Sequence, residues 1–468
     1  MQSKNESFVN PSEIRAQFSK HMSDMYRKEV PLYGDLLTLV EDTNQEVLEK
    51  SANTKAHLER TGEMKRLSME RHGAIRVGTP SELSTIRRLF AVMGMEPVGY
   101  YDLTPSGVPV HSTAFRAVHE EDLQISPFRV FTSLLRLELI DNPETQQLAA
   151  DTLAKRQIFT PRALELIEQC EHDGGLSQAD AETFIDEALE TFRWHTTATV
   201  TSDEYKRLHD QHRLIADVVA FKGPHINHLT PRTLDIDQVQ TQMPARNITP
   251  KAVVEGPPRR NCPILLRQTS FKALQEKVTF SDQGSEAGSH TARFGEIEQR
   301  GAALTPKGRA LYDELLNASR SELKEFPNEE NAQRYTEILE KHFSQFPDNH
   351  KEMHDQNLAY FRYFVTDKGY KALNNTTLPT NLKDLINTGY IEYEPLVYED
   401  FLPVSAAGIF QSNLGDNAQT HYKISSNQTE FQGFLGKEVL NELALYAHTQ
   451  KRSIIKCGEA LNLAQLKA

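Results

Sequence analysis

The spacing of apolar residues changes along the chain, and each change marks a new region. Residues 1–68 carry apolar side chains at helical spacing, broken at Pro31, which predicts an N-terminal helical segment. From residue 69 the run MERHGAIRVGT is short, contains β-branched residues and ends in Gly-Thr-Pro, as a strand does before a helix begins. A run at helical spacing and three apolar runs follow. We therefore expect the order strand, helix, strand, strand, strand over residues 69–141.

The same order of elements returns after a helical stretch. Residues 142–217 hold segments at helical spacing, some opening with capping signals, and we interpret them as a helical insertion. In residues 218–305 a histidine-bearing strand, AFKGPHINHLT, precedes a helix and three strand-like runs, CPILLRQTSFKAL, KVTFSD and HTARFGEIEQRGAAL. Residues 306–468 are mostly helical and polar.

The two strand-rich regions match in element order, although few residues are identical between them. This match indicates an internal repeat of a β-α-β-β-β unit. We expect an α+β fold in which two such modules pair and place their first strands side by side in a curved central sheet. Large helical insertions and N- and C-terminal helical additions surround that sheet in this prediction.

Composition narrows the classes of partner. The 468 residues include 38% hydrophobic and 25% charged positions, which is ordinary for a globular protein. The formal net charge of −13 disfavours a large nucleic-acid or anionic-membrane surface. The sequence contains no run of about 18 uninterrupted apolar residues, so it predicts no membrane-spanning helix. We therefore expect neither a nucleic acid nor a membrane as partner.

The cysteines bear on the cellular compartment. Cys170, Cys262 and Cys457 lie far apart and form no CxxC pair, which argues against a zinc ribbon or a disulfide framework. The polar start of the chain, MQSKNESFVNPSEIRAQF, lacks the apolar core of a secretory signal. Together these features predict a reducing, cytoplasmic location.

Three residues are candidate metal ligands: His72, His228 and Glu296. The first two lie on or beside the first strands of the two modules, and the third lies on the last strand of the second module. Two imidazoles and one carboxylate on one face leave about three positions of an octahedral ion open, so a redox metal can hold a chelating substrate and dioxygen together. Two rivals stay open. His225 lies three residues before His228, a spacing that points the two to opposite faces of a strand, whereas Glu298 faces the same way as Glu296, so spacing cannot choose between the two glutamates.

Arg76 is a candidate substrate-binding residue. It lies four positions after His72, on the same face of a regular strand. Its guanidinium offers a two-pronged grip on a substrate carboxylate. An ion pair with an aspartate or glutamate is the alternative role.

Other motifs support fewer classes of function. LTPKGRALYDELL is similar to the helix-opening motif of winged-helix regulators, but a helix capped by Thr305, with Pro306 at its first position, explains it equally well. The sequence contains no GxGxxG, Walker or GxSxG motif, so neither a nucleotide cofactor nor a serine nucleophile has support. Cys170 stands in an acidic context, which disfavours a reactive thiolate.

Four separated segments carry a family resemblance: ERHGAIRVGT, FKGPHINHLTPRTLDID, ARFGEIEQRGAALTPKGRALYD and YEDFLPVSAAGIFQSNLG. Together they resemble the 2-oxoadipate dioxygenase/decarboxylase family, also called hydroxyglutarate synthase. The resemblance covers nearly the whole chain. It implies a vicinal-oxygen-chelate core, which agrees with the paired modules expected from the pattern.

The resemblance also implies a catalytic metal centre. It assigns Fe(II) to His72, His228 and Glu296, and so favours His228 over His225 and Glu296 over Glu298. These three ligands are then also in contact with the substrate.

Two further positions match substrate residues of the family. Arg76 matches its substrate-binding arginine, and Val404, in FLPVSAAG, matches a residue that lines the substrate site through its backbone. We therefore expect a segment near residues 396–412 to return to the active site.

The activity implied by the resemblance is conversion of 2-oxoadipate and O2 into (R)-2-hydroxyglutarate and CO2, in lysine breakdown. Two alternatives stay open. One is a metal-dependent, non-oxidative isomerase or hydrolase that acts on another 2-oxo acid. The other is a ligand-sensing regulator on the same scaffold. The oligomeric state stays open as well.

Overall fold

Helices surround a central sheet that both modules share. The computed structural model describes residues 8–282, 288–291, 293–325, 327–373, 377–402, 427–463 and 466. The α-helices in these ranges are α1 Pro11–Glu29, α2 Pro31–Lys50, α3 Ala52–Thr61, α4 Glu63–Arg66, α5 Pro80–Val92, α6 Glu120–Ile125, α7 Pro143–Ala154, α8 Pro161–Asp173, α9 Gln178–Glu190, α10 Ser202–Gln211, α11 Arg213–Val219, α12 Ile236–Gln242, α13 Pro306–Leu323, α14 Ala332–Phe343, α15 His350–Asp355, α16 Asp367–Ala372, α17 Leu382–Asn387, α18 Gln428–Leu435 and α19 Glu442–Ala460. The strands are β1 Arg71–Val77, β2 Glu96–Asp102, β3 Val110–Arg116, β4 Arg129–Leu135, β5 His228–Pro231, β6 Leu266–Ser270, β7 Gln275–Val278, β8 Gly288–Thr291, β9 Glu296–Arg300, β10 Phe361–Val365 and β11 Ile391–Pro395.

The first strands of the two modules run side by side at the centre of the sheet. β1 is parallel to β4 and antiparallel to β5, in the strand order β2-β3-β4-β1-β5. Beyond β5, Arg232 forms a parallel bridge to Glu298 on β9, and β9 pairs antiparallel with β6. The expected α+β fold with paired modules is confirmed.

The first module follows the predicted order of elements. Thr79 caps α5 by accepting a hydrogen bond from the backbone N–H of Glu82, and Pro80 occupies the first helical position. Strands β2, β3 and β4 follow and pair antiparallel in that order, with the short helix α6 between β3 and β4. Helix α5 buries the apolar face that its spacing predicts: Leu83, Ile86, Leu89 and Phe90.

The second module departs from the predicted strands in three places. Its first strand, β5, begins only at His228, after an irregular stretch. Residues 249–255, where no strand is expected, form two antiparallel bridges to the β6 region. Pro250 has no N–H to donate, so regular pairing is interrupted there and the sequence pattern is weak. The expected strand KVTFSD instead contributes to a separate hairpin in which β7 and β8 pair with each other.

The sheet buries different residues on its two faces. Helices α1, α2, α5, α8 and α9 pack on one face, in a core that includes Ile75 and Val77 of β1. Because side chains alternate along a strand, His72, Ala74 and Arg76 belong to the opposite face. This opposite face carries the candidate site.

LTPKGRALYDELL marks the start of α13. The side chain of Thr305 accepts a hydrogen bond of 3.1 Å from the backbone N–H of Gly308, and Pro306 follows the cap. A Cβ on Gly308 would lie 1.9 Å from the carbonyl oxygen of Leu358, so glycine is required by close packing. The capped-helix explanation of this motif is confirmed.

No helix in the described ranges has the length and apolar composition needed to cross a membrane. The division of the chain at residues 69, 142, 218 and 306 stays our prediction.

Candidate metal centre

Three strands of the shared sheet bring His72, His228 and Glu296 together. They lie on β1, β5 and β9, and one ligand atom from each lies within 4.8 Å of the other two. All three side chains are buried. Among the described residues, no other group of three or more histidine, cysteine, aspartate or glutamate side chains could hold a metal ion.

The donor atoms of this trio point at one another. Nε2 of His72 lies 2.9 Å from Oε1 of Glu296, and Nε2 of His228 lies 3.8 Å from the same oxygen. The two imidazole rings are perpendicular, with an interplanar angle of 89° and 5.4 Å between their centroids. Two nitrogens and a carboxylate therefore converge on one small volume.

The hydrogen bonds of Glu296 fit a bound cation. Its Oε1 accepts from His72, from Oγ1 of Thr230 at 3.1 Å and from Nε2 of Gln268 at 2.8 Å. Its Oε2 has no hydrogen-bond partner in the part of the chain that the structure describes. Because a buried carboxylate oxygen without a partner is costly, a metal ion suits this donor set.

Glu298 contacts the other nitrogen of His72. Its Oε2 lies 2.8 Å from Nδ1, so the ring stands between two carboxylates. The guanidinium of Arg300 donates two hydrogen bonds to Glu298. Metal-binding histidines usually direct their second nitrogen to a carboxylate, carbonyl or water, which fixes the ring. The rival left open by spacing therefore lies beside His72 and outside the trio.

Burial and neighbouring charges together set the protonation of the trio. Burial acts to lower the pKa of His72, but Glu298 and Glu296 outweigh it and raise that pKa above its ordinary value. Burial lowers the pKa of His228 to about 4. Glu296 acts to raise this pKa, whereas His72 and Arg76 lower it further. Burial acts to raise the pKa of Glu296, yet His228 and His72 hold it below its usual range. At neutral pH the trio offers an ionised carboxylate and a neutral His228.

A buried cluster of charges forms the wall behind Glu298. It contains four arginines and four glutamates, drawn from the N-terminal helices, both modules and the segment that precedes residue 402. They are Arg66, Arg129, Arg232, Arg300, Glu63, Glu70, Glu298 and Glu399. The opposite charges compensate one another. Without this pairing, a single charge at such depth would be strongly destabilising.

Arg76 is engaged in an ion pair. It lies near enough to His228 to lower the pKa of that imidazole. Its Nη1 donates a hydrogen bond of 2.5 Å to Oδ2 of Asp217, and both side chains are buried. The ion pair given as the alternative role is therefore present, and contact with a substrate carboxylate stays a prediction. His225 lies outside the trio, with Nε2 at 3.3 Å from Oδ1 of Asp217.

Val404 lies outside the described residues, and its role stays a prediction. The chain is described as far as Leu402. Phe401 packs edge-on against the ring of His72, with 4.9 Å between the ring centroids. The C-terminal region thus reaches the site immediately before the segment that holds Val404.

Three residues around the site were not predicted from the sequence: Asp217, Gln268 and Thr230. Asp217 gives one signal, since it is a single carboxylate within the apolar run RLIADVVA. The other two give none, because a polar residue within a strand is ordinary.

The fold and the site define a class: paired β-α-β-β-β modules whose shared sheet carries a candidate metal centre of two histidines and one carboxylate. The family model described as 2-oxoadipate dioxygenase/decarboxylase matches residues 18–413. The chain belongs to this family, so the resemblance is confirmed.

Individual relatives are similar over almost their whole length. The chain is 66% identical to the 2-oxoadipate dioxygenase/decarboxylase of Pseudomonas putida over 459 residues, which cover 98% of this chain and 99% of the relative. It is 53% identical to the 2-oxoadipate dioxygenase/decarboxylase of Escherichia coli over 450 residues, which cover 96% of this chain and 99% of the relative. The crystal structure of the hydroxyglutarate synthase of P. putida in complex with 2-oxoadipate matches with a TM-score of 0.92 at 65% identity, covering 98% of this chain and 100% of that one.

Proposed function

We propose that this chain is an Fe(II)-dependent dioxygenase that converts 2-oxoadipate and O2 into (R)-2-hydroxyglutarate and CO2, as a step of lysine breakdown. The observation that carries the proposal is the buried trio of His72, His228 and Glu296, in a chain 66% identical to a relative named 2-oxoadipate dioxygenase/decarboxylase. A similar structure, with a TM-score of 0.92, holds 2-oxoadipate, which supports this substrate.

Iron suits the donor set. Two imidazoles and one carboxylate on one face are typical of non-haem Fe(II) oxygenases and leave positions open. We infer that His72, His228 and Glu296 hold the iron. When bound, the iron supplies the redox chemistry by which O2 reacts with the 2-oxo acid.

The protein's own groups fix the ligands before substrate arrives. Gln268 and Thr230 hold Glu296 through Oε1, which leaves Oε2 available to the metal. Glu298 lies against Nδ1 of His72, so Nε2 is the nitrogen that faces the trio. Such supports keep ligand geometry within the narrow range that catalysis requires.

Substrate orientation falls to Arg76 in this proposal. Its guanidinium receives a carboxylate of 2-oxoadipate and so determines which carbon lies nearest the metal, which is catalysis by positioning. Val404 lines the substrate through its backbone. Phe401, which is buried against His72, keeps water away from one side of the ligand ring.

The reaction requires no external reductant. One molecule of 2-oxoadipate and one of O2 together contain the atoms of one 2-hydroxyglutarate and one CO2. The bond between C1 and C2 breaks, C1 leaves as CO2, and the retained fragment receives one oxygen atom in its new carboxylate and one in its hydroxyl group. The substrate therefore supplies the electrons that reduce O2.

A cytoplasmic location is part of the proposal. The three cysteines, Cys170, Cys262 and Cys457, are all free thiols. Free thiols in every cysteine position are typical of proteins of a reducing compartment.

Metal removal provides the first test. We expect treatment with a chelator to abolish formation of 2-hydroxyglutarate, and anaerobic addition of Fe(II) to restore it. Zn(II) is expected to restore none, because it binds the same donors but has no redox chemistry. Product is measured by mass spectrometry and metal content by atomic emission. Zinc-loaded protein that transforms a 2-oxo acid without O2 would instead favour the non-oxidative isomerase or hydrolase.

A further inference from the structure

Four polar side chains form a connected cluster that reaches Arg76 through one of its members, Asp217. They come from the helical insertion, from the β7–β8 hairpin and from the stretch that precedes β5. Asp217 belongs to α11, at the end of the helical insertion, and Tyr205 belongs to α10. His290 belongs to β8 of the separate hairpin, and His225 lies just before β5.

Asp217 joins these groups to Arg76. Its Oδ2 accepts the hydrogen bond of 2.5 Å from Nη1 of Arg76. Its Oδ1 pairs with Nε2 of His290 at 2.9 Å and lies 3.3 Å from Nε2 of His225. Oη of Tyr205 lies 2.7 Å from Nδ1 of His290, so this imidazole is held at both nitrogens. A carboxylate with partners on both oxygens has little freedom to move.

Asp217 places a negative charge beside Arg76, the residue that is proposed to bind an anionic substrate. Burial acts to raise the pKa of Asp217, but Arg76, His225 and His290 together outweigh it and hold that pKa well below its usual range, so the carboxylate stays ionised. A negative charge beside Arg76 weakens its attraction for an anionic substrate. Its benefit lies in orientation, since an arginine already held in place loses less conformational entropy when substrate binds.

We propose that Asp217 is a positioning residue that holds Arg76 in the orientation in which it meets a substrate carboxylate. The helical insertion supplies Asp217, and the β7–β8 hairpin supplies the histidine that supports it. Both additions thereby complete the substrate side of the site. This inference rests on the proposed function, because it requires that Arg76 bind a carboxylate of 2-oxoadipate.

The test is binding of 2-oxoadipate to the Fe(II)-loaded Asp217→Asn protein under anaerobic conditions. Asparagine keeps the shape of the side chain but loses the charge that fixes the guanidinium. We expect the Kd from calorimetry to rise about 10-fold, because a neutral amide oxygen holds the guanidinium more weakly than a carboxylate does. Affinity for Fe(II) is expected to stay unchanged, which a general loss of structure would not allow.

Two further variants separate positioning from folding. Glu82→Gln removes the charge of another buried carboxylate, which pairs with Arg156 of the helical insertion at 2.7 Å, and it should leave the Kd unchanged. His290→Ala keeps the pair of Arg76 and Asp217 but removes a support of the carboxylate, so a smaller rise, about 3-fold, is expected. His290→Ala also carries the test if Asp217→Asn does not fold.

The outcomes separate the two claims. If Asp217→Asn and His290→Ala bind 2-oxoadipate as tightly as the wild type, or more tightly, Asp217 does not position Arg76. If the wild type binds Fe(II) but no 2-oxoadipate, the proposed function itself is wrong, and this inference is wrong with it.

Discussion

His72→Ala protein is expected to bind no iron and to lose turnover of 2-oxoadipate. The substitution removes one of three converging donors. Replacing residues that only support a metal ligand typically costs about 10- to 100-fold, so loss of a ligand should lower kcat/KM by more than about 100-fold. Glu296→Gln should have the same effect with less change of shape, since its amide oxygen still accepts from Gln268 and Thr230. Iron per chain after anaerobic loading, and product formed, are the two measurements.

His111→Ala is the matched control for the loss of a buried imidazole. His111 lies on β3 and is 2% exposed, against 1% for His72. It packs on Phe431 instead of the trio, with 4.7 Å between the ring centroids. This variant should lose folding stability yet keep iron and turnover. Normal iron content and activity in both His72→Ala and Glu296→Gln would show that the trio is not the metal site.

Arg76→Lys protein is expected to keep its iron but to bind 2-oxoadipate poorly. Lysine keeps the positive charge but loses the planar group that holds a carboxylate with two N–H donors and Asp217 with another. Hydrogen bonds to charged groups contribute about 1.5–3 kcal/mol, so KM should rise about 10-fold or more. Initial rates over a range of 2-oxoadipate concentrations give KM and kcat separately.

Arg156→Lys serves as the comparison for Arg76→Lys. The side chain of Arg156 is 4% exposed and pairs through two of its nitrogens with the carboxylate of Glu82. Its third nitrogen donates to the backbone carbonyl oxygens of Val218 and Phe221. Any general cost of placing lysine in a buried ion pair should appear in both variants. A KM unchanged in Arg76→Lys would remove Arg76 from the substrate site.

The sequence predicts the first module well because its elements have strong local patterns. The period of α5, its Thr-Pro start and the alternating strands are each visible within about ten residues. The strand-like segment 249–255 is not visible, because Pro250 interrupts its pairing. KVTFSD is apolar enough for a strand, but only tertiary structure decides that it forms a separate hairpin.

The site was predicted only in part, for a geometric reason. Glu296 and Glu298 alternate with Ile297 and so share a face, and local pattern cannot tell which nitrogen of His72 each one meets. The residues before His228 are irregular, so strand alternation does not apply to His225. Asp217 lies 141 positions from Arg76, and no local pattern connects residues so far apart.

Oxygen uptake tests the central claim most directly. The anaerobically iron-loaded protein is given 2-oxoadipate in the presence of a known amount of O2, and the products are identified by mass. The proposed reaction predicts one O2 consumed for each 2-hydroxyglutarate and each CO2 formed, with both atoms of labelled O2 in the 2-hydroxyglutarate. Absence of O2 uptake by protein that holds iron and folds normally would contradict it.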